Sequence, residues 1–130
     1  MQRPTAVIGA GVVGLAVARA LALRGHEVLV LEAADRIATG VTARNSEVIH
    51  AGLYYPPDSL KARTCLRGRE RLYAYVAARD VPHRQTGKLL VATDPGQLDG
   101  LRRIQDNARR SGAGELAWLS AAEVREREPQ

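Results

Sequence analysis

TAVIGAGVVG, residues 5–14, decides the fold class of this 130-residue chain. Its first four residues, Thr5–Ile8, are apolar and partly β-branched and stop at a glycine, which predicts a short buried strand. The next run, Val12–Arg24, is mainly alanine, leucine and valine, and its length favours a helix that ends at Gly25. A second apolar run, Glu27–Leu31, predicts another strand. Because two buried strands joined by a helix form a parallel βαβ unit, the sequence predicts an α/β fold.

The glycines of this stretch form the pattern G-x-G-x-x-G between the first strand and the helix. Gly9 permits the tight turn, Gly11 lets a pyrophosphate approach the backbone, and Gly14 lets the helix pack closely on the strand. The amino end of the helix supplies N–H groups and a positive dipole for phosphates. Glu32, at the end of the second strand, can accept hydrogen bonds from ribose hydroxyls. This context predicts a Rossmann-like dinucleotide-binding domain, although the glycines do not distinguish NAD from FAD.

Composition and charge exclude several other classes of protein. With 45% apolar and 25% charged residues, the chain resembles a globular domain rather than a disordered or coiled-coil protein. No apolar run reaches the ~20 residues of a membrane span. The single cysteine, Cys65, predicts no internal disulfide and no cysteine-based metal site, and it favours a reducing compartment. The net charge is +5, but aromatic residues are only 4% of the chain, so we expect no nucleic-acid partner. We also expect no metal site.

The part of the chain that follows the second strand begins with a long loop. Residues 33–58 lack periodicity and contain glycines and a proline pair, and a loop of that length in a compact domain is usually functional. Asp58 or Ser59 then caps a predicted helix, whose arginine row we interpret as a solvated face: Arg63, Arg67 and Arg71. The remaining predicted elements are a strand over Lys88–Thr93, a helix begun by a capping box of Asp94 and Gln97, a strand over Glu115–Leu119, and a helix opened by a capping box of Ser120 and Glu123.

The long loop carries side chains suited to binding a polar cofactor. Thr42, Asn45 and Ser46 offer hydroxyl and amide groups that can form hydrogen bonds with phosphates or a flat polar ring. His50 can act as an acid or a base near neutral pH. It can equally be a structural histidine whose ring is satisfied by neighbouring groups, and both interpretations stay open at this point.

The same loop carries a resemblance to a known family. The glycine pattern with its acidic residue, an Ala-Thr-Gly-x-Thr-x-x-Asn-Ser segment and an Ile-His-x-Gly segment together resemble the FAD-dependent D-amino acid oxidase (DAO) superfamily. Residues 45–57, continuing through 59–63, are similar to its L-2-hydroxyglutarate dehydrogenase/oxidase branch, and the resemblance covers essentially the whole chain. It implies an FAD-binding domain over residues 1–84 and the start of a substrate domain over residues 85–130.

The resemblance implies a cofactor and a set of site residues. The cofactor is FAD, with its pyrophosphate at Gly9, Gly11 and Gly14 and its adenosine ribose at Glu32. Thr42, Asn45 and Ser46 are implied to lie along the flavin side of the cofactor. His50 is implied to lie near the isoalloxazine and the substrate, where we expect it to be the catalytic base that receives the hydroxyl proton.

The activity implied is oxidation of a small 2-hydroxy acid, L-2-hydroxyglutarate to 2-oxoglutarate, with oxygen or a quinone as electron acceptor. The alternatives are oxidation of an amine, an amino acid or glycerol 3-phosphate, and a catalytically silent nucleotide-binding module. Members of the superfamily are considerably longer than this chain, so we expect an amino-terminal portion that is inactive alone. A cytoplasmic location is expected, and peripheral contact with the inner membrane is left open.

Overall fold

The computed structural model describes residues 3–129, so the first two residues and the last residue of the expected domain ranges lie outside it. The chain divides into two compact units, the first ending at Val48 and the second beginning at Ile49. The expected boundary between a cofactor domain and a substrate domain after residue 84 stays a prediction.

The first unit contains the predicted βαβ arrangement. Strand β1 spans Thr5–Ile8, helix α1 spans Val12–Ala22 and strand β2 spans Val28–Leu31. The two strands are parallel, with Thr5 paired to Val28 and Ile8 paired to Leu31. Helix α1 ends two residues before the predicted Arg24, because Gly25 has a φ of +83° and its N–H bonds to the Ala22 carbonyl at 2.9 Å. The α/β fold class and the order of these elements are confirmed.

The burial of the two strands differs from the prediction. Both strands alternate between half-buried and exposed residues. Ile8, an apolar residue at the end of β1, is 87% exposed. Parallel strands are normally buried on both faces because helices cover each side of the sheet. Within residues 3–48 the helix that packs against both strands is α1, and the prediction of fully buried strands is wrong.

In residues 49–129 the second unit has three α-helices and a short 3-10 helix at Pro95–Gln97. Helix α2 spans Leu60–Ala77, helix α3 spans Leu98–Ser111 and helix α4 spans Ala121–Arg127. Ser59 is the N-cap of α2 and accepts from the Ala62 N–H at 3.1 Å. The predicted capping box of α4 is present, with Ser120 and Glu123 bonded in both directions. Gly112 ends α3 in the left-handed conformation at φ +76°.

Three predictions about this unit are wrong. Lys88–Thr93 and Glu115–Leu119 form no strand in the described chain, because an extended segment becomes a strand only when another backbone pairs with it. The capping box of Asp94 and Gln97 is also absent, since Asp94 makes no side-chain cap. The Gln97 Oε1 accepts instead from the Thr93 N–H at 2.9 Å, one residue earlier than predicted.

A small apolar core holds the second unit together. Leu53, Ala108 and Ala113 are buried, and they are surrounded by partly buried apolar side chains of the loop, α2, α3 and the extended segments: Ala51, Leu66, Leu90, Ile104 and Leu116. The core is therefore formed between the residues that follow His50 and two apolar residues of α3, Ile104 and Ala108. No helix in the described range is long and apolar enough to cross a membrane.

Candidate functional site: a glycine turn and an aromatic loop

The glycine turn at the end of β1 has the geometry that its sequence predicts. Gly9 has a φ of +95°, a conformation that favours glycine, and its N–H donates to the Leu31 carbonyl of β2 at 2.7 Å. A Cβ on Gly14 would collide with the Gly9 carbonyl oxygen and lie 3.1 Å from the Gly9 carbonyl carbon. The first turn of α1 therefore packs directly on the turn, and only glycine fits at position 14.

The amino end of α1 is completed by a residue from the long loop. Gly11 is the N-cap and has no side chain, but the Thr42 Oγ1 accepts from the Val12 N–H at 3.0 Å. A Cβ on Gly11 would lie 3.3 Å from this same Thr42 oxygen. The first backbone bond of the helix is donated by Leu15 to the Gly11 carbonyl, so the amides of the first turn have no partner within the helix. Such an end attracts an anionic group.

Glu32 follows β2 and contacts the same turn. Its Oε2 accepts from the Ala10 N–H at 2.6 Å, and its Oε1 accepts from the Ala34 N–H at 3.0 Å. These backbone hydrogen bonds, from Ala34 first and Ala10 second, lower the pKa of the Glu32 carboxyl below its ordinary value. The group is therefore an ionised acceptor at neutral pH, and each carboxylate oxygen keeps lone-pair capacity for a ribose hydroxyl.

The other predicted side chains of the loop have different positions. Asn45 is occupied locally, since its Nδ2 donates to the Thr42 carbonyl at 2.8 Å and its Oδ1 accepts from the Glu47 N–H at 2.7 Å. This arrangement fixes the loop around Thr42 rather than leaving the amide free. Ser46 is exposed beside it. The structure thus brings Thr42, Glu32 and the three glycines together and uses Asn45 as a support for Thr42.

One contact of the glycine turn has no signal in the sequence. The Ala38 N–H donates to the Ala10 carbonyl at 3.0 Å, and Ala38 has a φ of +61°. Both groups belong to the backbone, so no side-chain pattern could indicate them.

His50 lies in the second unit, on a short loop rich in aromatic residues. Its Nδ1 accepts from the Gly52 N–H at 3.0 Å and lies 3.4 Å from the Cys65 Sγ. Its Nε2 lies 3.3 Å from the Tyr55 hydroxyl, and the two rings stack with centroids 5.0 Å apart. Tyr54 contacts the same ring edge-on at 6.2 Å. Both ring nitrogens therefore have partners, and the ring is oriented by its neighbours on three sides.

Two polar side chains anchor this loop to the helices. The Arg69 Nη1 of α2 donates to the Ala51 carbonyl at 2.9 Å. The Asn107 Nδ2 of α3 donates to the carbonyls of Leu53 and Tyr55, both at 2.7 Å. Sequence reasoning did not single out Arg69, which resembles its solvated arginine neighbours, or Asn107, whose partners lie more than fifty residues away.

A lysine ammonium group lies near the ring of each tyrosine. The Lys61 Nζ lies 4.6 Å from the centroid of the Tyr55 ring, and the Lys88 Nζ lies 4.9 Å from that of Tyr54. The sequence alone assigned no role to these four residues, because tyrosine and lysine are common surface residues. In the described residues no cluster of three or more His, Cys, Asp or Glu side chains could hold a metal ion.

Comparisons with known proteins give the same family over nearly the whole chain. The DAO family, described as FAD dependent oxidoreductase, matches residues 5–130. A mitochondrial L-2-hydroxyglutarate dehydrogenase of Arabidopsis thaliana is 51% identical over 126 residues, which cover 97% of this chain and 26% of that protein. The human mitochondrial L-2-hydroxyglutarate dehydrogenase is 38% identical, covering 95% of this chain and 27% of its own length. An L-2-hydroxyglutarate dehydrogenase of Salmonella houtenae is 38% identical, covering 95% and 29%. The chain thus spans little more than a quarter of the length of these relatives.

Proposed function

The chain belongs to the DAO family of FAD dependent oxidoreductases, and from this premise we propose that it supplies the dinucleotide-binding part of an enzyme that oxidises L-2-hydroxyglutarate to 2-oxoglutarate. The substrate is proposed from the relatives, which are named L-2-hydroxyglutarate dehydrogenase and are 34–51% identical to this chain. The family's dependence on FAD supports FAD rather than NAD as the cofactor of this chain.

A single observation supports cofactor binding most strongly: Thr42, Glu32 and the amino end of α1 all converge on the glycine turn. The first-turn amides of α1 would hold the pyrophosphate, which Gly11 admits because it has no Cβ. The Glu32 carboxylate would accept the hydroxyls of the adenosine ribose. These groups match a dinucleotide in charge and in hydrogen-bonding capacity, so the residues present fit FAD.

The remaining roles belong to the same proposal. Thr42, Asn45 and Ser46 would follow the flavin half of the cofactor, and His50 would lie beside the substrate. When bound, the isoalloxazine supplies the electron acceptor for the substrate carbon. Oxygen or a quinone would be the final acceptor, in an enzyme proposed to be cytoplasmic, with peripheral contact with the inner membrane left open. We also propose that residues 1–84 belong to the cofactor domain and residues 85–130 to the substrate domain.

The experiment joins this chain to the part of the Arabidopsis relative that follows its match, which gives a chimera of the relatives' length. Anaerobic flavin bleaching is followed with L-2-hydroxyglutarate, its D-isomer, glycine and glycerol 3-phosphate. Bleaching by the L-hydroxy acid alone is expected. Bleaching by glycine or glycerol 3-phosphate but not by the L-hydroxy acid would overturn the substrate.

A matched pair of glycine variants tests the cofactor site in the same chimera. Gly11→Leu places a side chain where the pyrophosphate must approach and should yield colourless protein. Gly68→Leu is the control, because Gly68 is an exposed glycine of α2 outside the proposed cofactor site and a Cβ there meets no atom within 4 Å. Full flavin occupancy in Gly11→Leu would contradict the assignment of the cofactor to this turn, whereas loss of flavin in both variants would indicate a general folding defect and also count against it.

A further inference from the structure

The positions of the two lysines are unusual for this chain. Of its 19 lysine and arginine residues only Lys61 and Lys88 are lysines, and each ammonium group lies over the ring of one of two consecutive tyrosines. Both of these rings, Tyr54 and Tyr55, contact the imidazole of His50. We call these five residues the Lys–Tyr cluster. It concentrates two compact, strongly hydrated charges at the residue expected to meet the substrate.

Neither lysine charge is neutralised within the described residues. The ion pairs found over residues 3–129 join Arg102 to Asp99 and Arg109 to Asp106, both on α3. An ammonium group over an aromatic ring is attracted to the ring face but keeps its N–H donors for other acceptors. Each lysine therefore has donors available for an incoming anion.

The hydrogen bonds of His50 add a further donor. The Gly52 N–H can only donate, so the His50 Nδ1 that it meets must be the acceptor nitrogen. A neutral imidazole carries one proton, which then resides on Nε2, and this nitrogen lies 3.3 Å from the Tyr55 hydroxyl. Because a protonated Nε2 has no lone pair and cannot accept, the Tyr55 O–H is not donated to the ring and is available to another acceptor.

The position of Gly52 makes this arrangement specific. Gly52 is buried, has a φ of +84°, and a Cβ added there would lie 2.6 Å from the Leu66 Cδ2. The positive φ disfavours any other residue at this position, so the backbone conformation of Gly52 sets the position of the amide that meets the His50 Nδ1.

We propose that the Lys–Tyr cluster is a carboxylate-binding site for a small dicarboxylate, in which Lys61, Lys88 and the Tyr55 hydroxyl donate to carboxylate oxygens. Two ammonium groups match the two negative charges of such a ligand. That the dicarboxylate is the substrate of an oxidation rests on the proposed function. In this arrangement the His50 Nε2 carries a proton, so His50 donates a hydrogen bond and does not receive the hydroxyl proton as we expected from the sequence.

The binding experiment uses the whole 130-residue chain without flavin. Glutarate, L-2-hydroxyglutarate and L-lactate are titrated while NMR signals of the lysine side chains and of the His50 ring are followed. Both dicarboxylates should shift the signals of Lys61, Lys88 and His50, and lactate should bind more weakly. Lys61→Gln and Lys88→Gln should each weaken glutarate binding about two- to fivefold, as expected for an exposed charge pair.

The matched control is Arg79→Gln, which removes a cation lying 3.9 Å from the centroid of the Tyr75 ring in the same unit. It should leave glutarate binding unchanged. Equal weakening by Arg79→Gln would mean that only general charge attraction is at work and would overturn the site, as would the absence of shifts at the cluster or equal binding of lactate.

The protonation state of His50 is tested separately by nitrogen NMR of its ring. His83 is an internal reference, because its Nδ1 lies 2.8 Å from the Val81 carbonyl oxygen and must carry the proton. His50 should show the opposite form, with the proton on Nε2. A proton on Nδ1 of neutral His50 would refute its donor role. Dicarboxylate binding with no oxidation by the chimera would refute the proposed function while leaving the cluster intact.

Discussion

Replacing Gly14 by alanine should destabilise the first unit through a clash that the backbone cannot avoid. The added Cβ would collide with the Gly9 carbonyl oxygen, which is part of the turn and cannot rotate away as a side chain would. Overpacking of this kind costs about 2–3 kcal/mol. Alanine in place of glycine inside a helix returns roughly 0.5–1 kcal/mol. The free energy of unfolding should therefore fall by about 1–2.5 kcal/mol.

The control for this prediction is Gly68→Ala in α2. Gly68 is an exposed helical glycine, and a Cβ there meets no atom within 4 Å, so only the helix preference of alanine acts. This variant should be more stable than the wild type by roughly 0.5–1 kcal/mol. Urea unfolding gives the overall stability, and amide hydrogen exchange of β1 and β2 reports on the first unit alone. Undiminished exchange protection of the strands in Gly14→Ala would refute the packing argument.

Three further predictions concern hydrogen bonds of the two units. Thr42→Val should lower the free energy of unfolding by about 1 kcal/mol through loss of the cap on α1 and should speed hydrogen exchange of the Val12 amide, whereas Thr42→Ser should retain the cap. Equal exchange rates in the two variants would contradict the role of Thr42 as the cap. Because the pKa of Glu32 is lowered in the folded chain, its contribution to stability is present above its ordinary pKa of 4.5 and is lost as pH falls through the lower folded value. Glu32→Gln should therefore lose less stability on acidification than the wild type, measured by unfolding at several pH values. Asn107→Ala should lower the free energy of unfolding by about 1–3 kcal/mol because it leaves the buried Leu53 carbonyl unpaired, and Asn107→Asp should be no more stable because a carboxylate cannot donate. An Asp variant as stable as the wild type in urea would show that these bonds do not hold the loop.

The βαβ unit could be predicted because its signals are local. The apolar run before Gly9, the helix after it and the acidic residue after β2 each show in a few consecutive residues. The burial of the strands could not be predicted in the same way. An apolar run such as Val28–Leu31 indicates a strand whose two faces are both buried. The local pattern does not show which other elements pack on those faces.

The segments at Lys88–Thr93 and Glu115–Leu119 show where local signals fail. Both have the apolar composition of strands, and neither forms a strand in the described chain. Strand formation depends on a second backbone, which composition does not reveal.

The candidate site was predictable in its chemistry but not in its contacts. The sequence indicates that Thr42 and Glu32 can serve a dinucleotide, but not that Thr42 caps a helix thirty residues earlier. It indicates His50, but not that Gly52 selects which ring nitrogen is protonated, because that depends on one backbone amide. Side chains that act across long separations, such as Asn107, give no periodic signal.

The paired hydrogen bonds of Glu32 have a consequence for the cost of recognition. A free glutamate samples many rotamers and must lose that freedom when it binds a ligand. Here the amides of Ala10 and Ala34 already hold one carboxylate oxygen each, so the side chain is ordered before any ribose arrives. The protein bears this entropic loss during folding rather than during binding. Under the proposed function, the adenosine end of the cofactor would therefore meet a preorganised acceptor.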